Sequence, residues 1–167
     1  MYCIDTEGPH FKELLKATLL SIIDEKKDPL FLCIGTDRST GDALGPLIGK
    51  RLEEYGFTVF GTLSKPVHAV NIYNTIEEID RLKKNKQIIA IDAGLGKNVG
   101  CVSVWKGSIQ PGAGIHKSLP CVGDIGIMGI VAGYSANGAS ALHNVRLNKV
   151  INMAEIITSG ILQAYRL

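Results

Sequence analysis

The spacing of apolar residues along the chain predicts helices that alternate with short, buried strands. Apolar residues recur at three- and four-residue steps over residues 11–23, which indicates a helix with one buried face. The apolar run over residues 30–34 is typical of a strand that is buried on both faces. A polar loop over residues 35–41 then leads into a second helical pattern, which begins at Asp42 and closes near Gly56.

The order of the predicted elements indicates the fold class. The later elements are strands over residues 57–63, 87–91, 99–106 and 127–133, helices over residues 76–82 and 150–164, an irregular segment over residues 110–126 and a turn over residues 135–138. Strands that alternate with helices favour a parallel sheet. We therefore expect an α/β fold, a three-layer sandwich with a mostly parallel central sheet and helices on both faces. At roughly 150 residues per domain, the chain fits a single domain over residues 1–167.

Composition and charge argue against several classes of protein. The chain has 18 Lys and Arg against 16 Asp and Glu, with no concentrated basic run, so we expect no nucleic-acid partner. No apolar stretch approaches the roughly 20 residues that a membrane helix needs, and the N-terminal segment lacks a secretory signal. We therefore expect a cytoplasmic protein without a membrane partner. The 4 cysteines form no CxxC pair, which argues against a zinc knuckle or a disulfide framework.

Two acidic residues are predicted at the place where an open parallel sheet binds its ligands, beyond the carboxyl ends of its strands. Asp42 lies at the junction between the loop and the second helix, and Asp92 follows the strand over residues 87–91. Two carboxylates in one site do not ionise independently, so such a pair can hold a proton for acid/base activation of water. The structural alternatives are a helix N-cap for Asp42 and a turn residue for Asp92.

The loop over residues 35–41 also has the glycine-bracketed form of a phosphate cradle. The Walker pattern needs Gly-Lys-Ser or Gly-Lys-Thr at the start of the helix, whereas Gly41 is followed by Asp42. A carboxylate at this point places negative charge where a phosphate would lie. The glycines over residues 94–100 also depart from the dinucleotide-binding spacing. The sequence therefore argues against a nucleotide site.

Four segments carry motifs of mixed chemistry. They are FLCIGTDRSTGDALGP over residues 31–46, IDAGLG over residues 91–96, PGAG over residues 111–114 and LPCVGDI over residues 119–125. Together they resemble the sporulation protein YyaC family, which is regarded as a group of spore proteases. That family is similar, more distantly, to the germination protease of spore-forming bacteria and to the hydrogenase-maturation endopeptidases. The resemblance implies an α/β fold like that of a hydrogenase-maturation protease.

The resemblance also implies roles for individual residues. In the germination protease, motifs like those over residues 42–46 and 91–93 carry two aspartates implicated in catalysis, which implies that Asp42 and Asp92 are catalytic here. In the maturation endopeptidases, two acidic residues at corresponding places bind a metal ion together with a later histidine. His116 follows Asp92 in the matching order, so Asp42, Asp92 and His116 are the candidate metal ligands.

Other residues of the irregular segment offer alternatives. Cys121 is close to His116 in sequence, and a thiol beside an imidazole can act as a nucleophile. Asp124 could join the site from the same segment or serve as a turn residue. The remaining histidines, which lie in no motif, are His10, His68 and His143.

The residues and the resemblance together predict an endopeptidase of the sporulating cell or spore, in which Asp42 and Asp92 activate the attacking water. The expected partner is a peptide or protein substrate, and no cofactor is required. One alternative is a non-catalytic sporulation protein that binds a peptide or a metal ion at the same carboxylate edge. Another is a maturation-type endopeptidase that depends on a divalent metal ion. The sequence leaves the formation of a homo-oligomer open.

Overall fold

Residues 2–112 and 119–165, which the computed structural model describes, form a six-stranded sheet with helices on both faces. The strands are β1 (Tyr2–Asp5), β2 (Asp28–Cys33), β3 (Thr58–Phe60), β4 (Lys86–Leu95), β5 (Cys101–Lys106) and β6 (Ile125–Ala132). The helices are α1 (Phe11–Leu20), α2 (Leu44–Glu54), α3 (Ile72–Leu82), α4 (Gly138–His143) and α5 (Leu147–Ala164). None of these helices combines the length and the hydropathy needed to cross a membrane. The architecture confirms the predicted α/β class.

The sheet is mostly parallel, as predicted, and its antiparallel strands lie at one edge. The strand order is β1-β5-β6-β4-β2-β3, and the neighbours from β6 to β3 run parallel to one another. β5 is antiparallel to β6, and β1 is antiparallel to β5. Parallel neighbours require crossover connections, which lay helices on the faces of the sheet. The carboxyl ends of β2, β4 and β6 therefore meet at the same edge.

Apolar residues on both faces of the central strands hold the helices against the sheet. Phe31 on β2 and Ile89 on β4 lie in one buried cluster with side chains from α1, α2 and α5. Leu32 and Ala90, the next residue along each strand, lie in a second cluster with side chains from α3. Successive residues of a strand point to opposite faces, so an unbroken apolar run serves both clusters. A large aliphatic or aromatic side chain that is fully buried in this way contributes roughly 1.5–3 kcal/mol.

Strand β4 is longer than the sequence predicts, and this changes the position of Asp92. The apolar run predicts a strand over residues 87–91 with Asp92 directly after it, whereas β4 continues to Leu95. The pairing with β2 ends at Cys33 and Ile91, and the described pairing of the remaining residues is with β6. Asp92 therefore lies inside a strand, but beyond the end of the neighbouring strand.

The sequence pattern also misses two short elements. β1 is a four-residue strand that forms by pairing with β5, so its stability comes from a partner about a hundred residues away. α4 begins where a turn is predicted over residues 135–138, and the Asn137 side chain accepts the Ser140 N–H at 3.1 Å. An asparagine at this position is a favourable N-cap, because it satisfies a backbone donor of the first turn.

Candidate functional site

A cavity of about 540 Å³ opens at the carboxyl ends of β2 and β4. Its walls come from these strand ends, from the loop that precedes α2 and from the segments that follow β3, β5 and β6. Much of the lining is apolar, as is usual for sites that bind organic ligands. Among the described residues, the ionisable side chains on its walls are Arg38, Asp42, His68, Asp92 and Tyr134. The structure thus brings the two predicted aspartates to one cavity.

Asp92 is a buried carboxyl group on the wall of this cavity. It pairs with Met128 of β6 at the level where β2 has already ended, and it keeps 7% of its surface exposed. The Ala93 N–H donates a hydrogen bond to its Oδ1 at 2.8 Å. The pairing of β4 with β2 has ended at this level, and the Asp92 side chain lines the cavity that opens there.

The environment of Asp92 favours the protonated carboxyl. Burial removes water from the carboxylate and raises its pKa from an ordinary value of 3.8 to about 8. The Ala93 N–H lowers the pKa, because it stabilises the charged form, whereas the negative charge of Asp42 raises it further. Burial and the charge of the neighbouring Asp42 therefore both shift the ionisation of Asp92 towards the protonated carboxyl.

Asp42 is held by a short 3₁₀ turn, Gly41–Ala43, that precedes α2. The helix begins at Leu44 and its N-cap is Ala43, so the alternative of Asp42 as an N-cap of this helix is wrong. The carbonyl oxygen of Asp42 accepts the Thr36 N–H at 3.1 Å, which ties the turn to the start of the loop. The residue is half-buried and lines the cavity.

Two glycines allow the loop, the turn and the strand end to approach this closely. Gly35 has a φ of +142°, and a Cβ at this position would lie 1.9 Å from the carbonyl oxygen of Asp42. Gly45 lies in the first turn of α2, where a Cβ would lie 2.1 Å from the carbonyl oxygen of Ile34. These two glycines are therefore needed because the backbone segments around them are packed against one another.

His68 is a member of the cavity wall that sequence reasoning did not single out. It follows Val67, whose carbonyl accepts the Gly35 N–H at 2.7 Å and which forms an isolated parallel bridge with Ile34. Val67 is a single bridge residue that follows β3. One residue produces no apolar periodicity, so the sequence pattern could not predict this position. The bridge nevertheless brings His68 to the same edge of the sheet as the aspartates.

The other predicted candidates do not join Asp42 and Asp92. The Asp124 side chain accepts the Ile88 N–H at 2.9 Å, which holds it beside the amino-terminal half of β4. Cys121 is exposed and is not among the described residues that line the cavity. His116, the predicted third metal ligand, lies outside the described residues.

The fit of a metal ion can be examined for the side chains that are described. Over residues 2–112 and 119–165, no three side chains of His, Cys, Asp or Glu are grouped so that they could hold a metal ion. Asp42 and Asp92 alone provide two carboxylates, which is fewer than the three protein ligands of typical catalytic zinc sites.

Comparison with solved structures defines the class of the fold. The chain is similar to the [NiFe] hydrogenase maturation protease HycI from Thermococcus kodakarensis KOD1, with a TM-score of 0.63 and 18% sequence identity. The similarity covers 89% of this chain and 99% of that protein. The protein therefore has a hydrogenase-maturation-protease-like α/β fold, as the sequence motifs imply.

Comparison of sequences then identifies the family. Residues 4–160 match the family described as "Protein of unknown function (DUF1256)", and the chain belongs to this family. It is 49% identical over 140 residues to the uncharacterized protein YyaC of Bacillus subtilis (strain 168). The aligned region covers 81% of this chain and 68% of that protein. The match confirms the resemblance to YyaC.

Proposed function

We propose that the protein is an endopeptidase in which Asp42 and Asp92 activate the water that hydrolyses a peptide bond. The observation that supports this most is that the buried Asp92 lines the same cavity as Asp42, in surroundings that raise the pKa of Asp92. Aspartic proteases use the same principle, since two carboxyl groups that share a site divide the roles of acid and base. The protease-like fold is consistent with the proposal, although a fold alone does not define a function.

The proposed reaction assigns one role to each carboxyl group. The Asp42 carboxylate accepts a proton from water while the water oxygen forms a bond to the peptide carbonyl carbon. The Asp92 carboxyl then donates its proton to the amide nitrogen as the carbon–nitrogen bond breaks. The products are a new carboxyl group and a new amine. One proton has moved from Asp92 to Asp42, and its return through solvent restores the starting state.

The proposed setting is the cytoplasm of a sporulating cell or a spore. It rests on the resemblance of the motifs to a sporulation family. The proposed partner is a peptide or protein substrate, which would lie along the open side of the cavity. Nucleic acid and membrane are not proposed as partners, because the charges are balanced and dispersed.

The proposal is tested by digestion of a peptide library with the purified protein. Cleavage products are identified by mass spectrometry for the native chain and for Asp42→Asn and Asp92→Asn. Asp37→Asn is the matched control, because it removes an exposed carboxylate of the same loop that does not line the cavity. We expect cleavage by the native chain and by the control, and its loss in both other variants. Cleavage that survives Asp92→Asn would contradict the proposal.

A chelator separates the proposed chemistry from the metal-dependent alternative. Protonated and ionised carboxyl groups need no cation, so cleavage should survive exhaustive treatment with a chelator. Loss of cleavage that is restored by a divalent cation would favour the metal-dependent endopeptidase. Binding of library peptides without any cleavage would favour the non-catalytic alternative.

A further inference from the structure

The end of β2 lies between Asp92 and His68. Backbone hydrogen bonds join the residues that follow β2 to the segment on each side. The Ile34 N–H donates to the carbonyl oxygen just before Asp92 at 2.7 Å, and the Gly35 N–H donates to the carbonyl oxygen just before His68, also at 2.7 Å. The two residues therefore lie on either side of one strand end. Two strand spacings amount to roughly 10 Å between their backbones. Both side chains line the same cavity.

Hydrogen bonds hold the imidazole ring of His68 in a defined state. The Val70 N–H donates to its Nδ1 at 3.3 Å, so a neutral ring carries its proton on Nε2. The His68 N–H donates to the Asn71 side chain at 2.8 Å, and that side chain donates to the Pro66 carbonyl at 2.9 Å. Because Nδ1 accepts from the backbone, Nε2–H is the ring donor that His68 can offer to a ligand in the cavity.

His68 is also anchored to a helix. Its carbonyl oxygen accepts the N–H groups of Asn71 and Ile72 at 3.1 and 3.0 Å, at the point where α3 begins. These bonds fix the main chain of His68, from which its side chain extends to the cavity wall. The amino end of a helix also carries partial positive charge, which favours negative charge that develops nearby.

Peptide hydrolysis places negative charge on the carbonyl oxygen of the bond that is cleaved. In the proposed reaction, Asp42 interacts with the water and Asp92 with the leaving nitrogen, and neither is assigned to this oxygen. A hydrogen-bond donor whose position is fixed before the substrate binds is well suited to stabilise it. His68 is one of the ionisable side chains on the described walls, and a backbone N–H orients its ring. Its Nε2–H can donate a hydrogen bond, and the ring carries no negative charge that would repel the oxygen.

We propose that His68 is a third catalytic residue, whose Nε2–H donates a hydrogen bond to the carbonyl oxygen of the cleaved peptide bond. This proposal rests on the proposed function of Asp42 and Asp92. His68 transfers no proton in the reaction, so the proton balance between the two carboxyl groups is unchanged. Its contribution is stabilisation of the negative oxygen in the transition state.

Kinetic measurements on His68 variants test the proposal. His68→Ala should lower kcat by roughly 10²–10³-fold with little change in KM, which is the effect of losing one such donor in other hydrolases. His68→Gln, which keeps an N–H donor, should recover part of the loss, and the shape-matched His68→Phe should not. His10→Ala is the control, because it removes an exposed histidine that does not line this cavity.

These outcomes distinguish failure of the inference from failure of the proposed function. If the Asp42→Asn and Asp92→Asn variants lose cleavage and His68→Ala keeps the native kcat, the role of His68 is wrong and the endopeptidase stands. If cleavage persists in the aspartate variants, the proposed function itself is wrong.

A second measurement does not depend on activity. Nitrogen-15 NMR of the labelled histidine rings reports which nitrogen carries the proton in the neutral form. We expect His68 to carry it on Nε2 in the native chain and in Asp92→Asn. A His68 ring that is protonated on Nδ1 would overturn the inference, because that tautomer cannot donate from Nε2.

Discussion

At the scale of single residues, the proposed chemistry depends on a carboxyl group whose pKa the fold raises. Asp92 is buried within a strand, and burial is the main cause of its raised pKa. An aspartate that ionises near 4 could not serve as an acid at pH 7. The buried position of Asp92 beyond the end of β2 thus gives this side chain the raised pKa that the proposed role as a proton donor requires.

The first prediction is a loss of activity at alkaline pH. If Asp92 is the acid, kcat/KM must fall as the pH rises through about 8, because the proton that it donates is then released to solvent. A pH profile of kcat/KM for one cleaved library peptide measures this directly. A profile that stays level up to pH 10 would contradict the role of Asp92 as the acid.

The second prediction concerns the stability of the fold. The folded-state pKa of Asp92 is about 8 and its ordinary value is 3.8, so in this pH window the folded chain holds a proton that the unfolded chain releases. The free energy of unfolding therefore decreases as the pH rises from about 4 to about 8, by up to roughly 1.4 kcal/mol per pH unit.

Asp92→Asn cannot titrate, so its stability should lack this decrease. As the pH rises from 5 to 8, the native chain should lose stability and the variant should not, so the variant becomes more stable relative to the native chain. The variant should also lose activity. Urea denaturation at pH 5 and at pH 8 measures the free energy of unfolding of each variant, with Asp37→Asn as the control. An equal dependence on pH in the native chain and in Asp92→Asn would show that Asp92 does not hold the proton.

At the scale of elements, apolar patterns predict much of the sheet but not the lengths of its strands. The run over residues 30–34 predicts β2 well, because a central strand needs apolar residues on both faces. The extension of β4 through Asp92 could not be predicted, because it depends on pairing with β6. His68 was missed for a similar reason, since one bridge residue at Val67 leaves no pattern.

The third prediction tests the close approach of α2 to β2. Gly45→Ala should destabilise the protein by about 1–3 kcal/mol, because its Cβ would overlap the carbonyl oxygen of Ile34 and the helix must move. The shift would also displace Asp42, so activity should fall. Gly133→Ala is the control, because a Cβ at this position has no neighbour within 4 Å. Equal melting temperatures for the two variants would contradict the packing described for α2.

At the scale of the whole molecule, the rim of the cavity bears on which peptides the proposed endopeptidase would prefer. Its rim includes Val70, which is 87% exposed, and Tyr134, which is 71% exposed. Large apolar side chains that are this exposed beside a cavity are typical of a binding surface. A fold does not define a ligand, so under the proposed function these surface residues are the ones expected to influence substrate preference.

The fourth prediction is a preference for peptides with a large apolar residue near the cleaved bond. Val70→Ser and Tyr134→Ser should each raise KM for such peptides several-fold, with a smaller effect on kcat, because they remove apolar contact area and not reacting groups. Tyr55→Ser is the control, since Tyr55 is 52% exposed and does not line the cavity. Unchanged KM values in both rim variants would show that the rim does not contact the substrate.

The proposed site depends on an interaction between two carboxyl groups, in which the charge of Asp42 helps to keep Asp92 protonated. Carbon-13 NMR of the aspartate carboxyl groups between pH 4 and pH 10 measures this without knowledge of the substrate. We predict that Asp92 ionises near pH 8 in the native chain, and that its pKa falls in Asp42→Asn, because the charge that raises it has been removed. Ionisation of Asp92 near its ordinary value of 3.8, with no response to Asp42→Asn, would contradict the account.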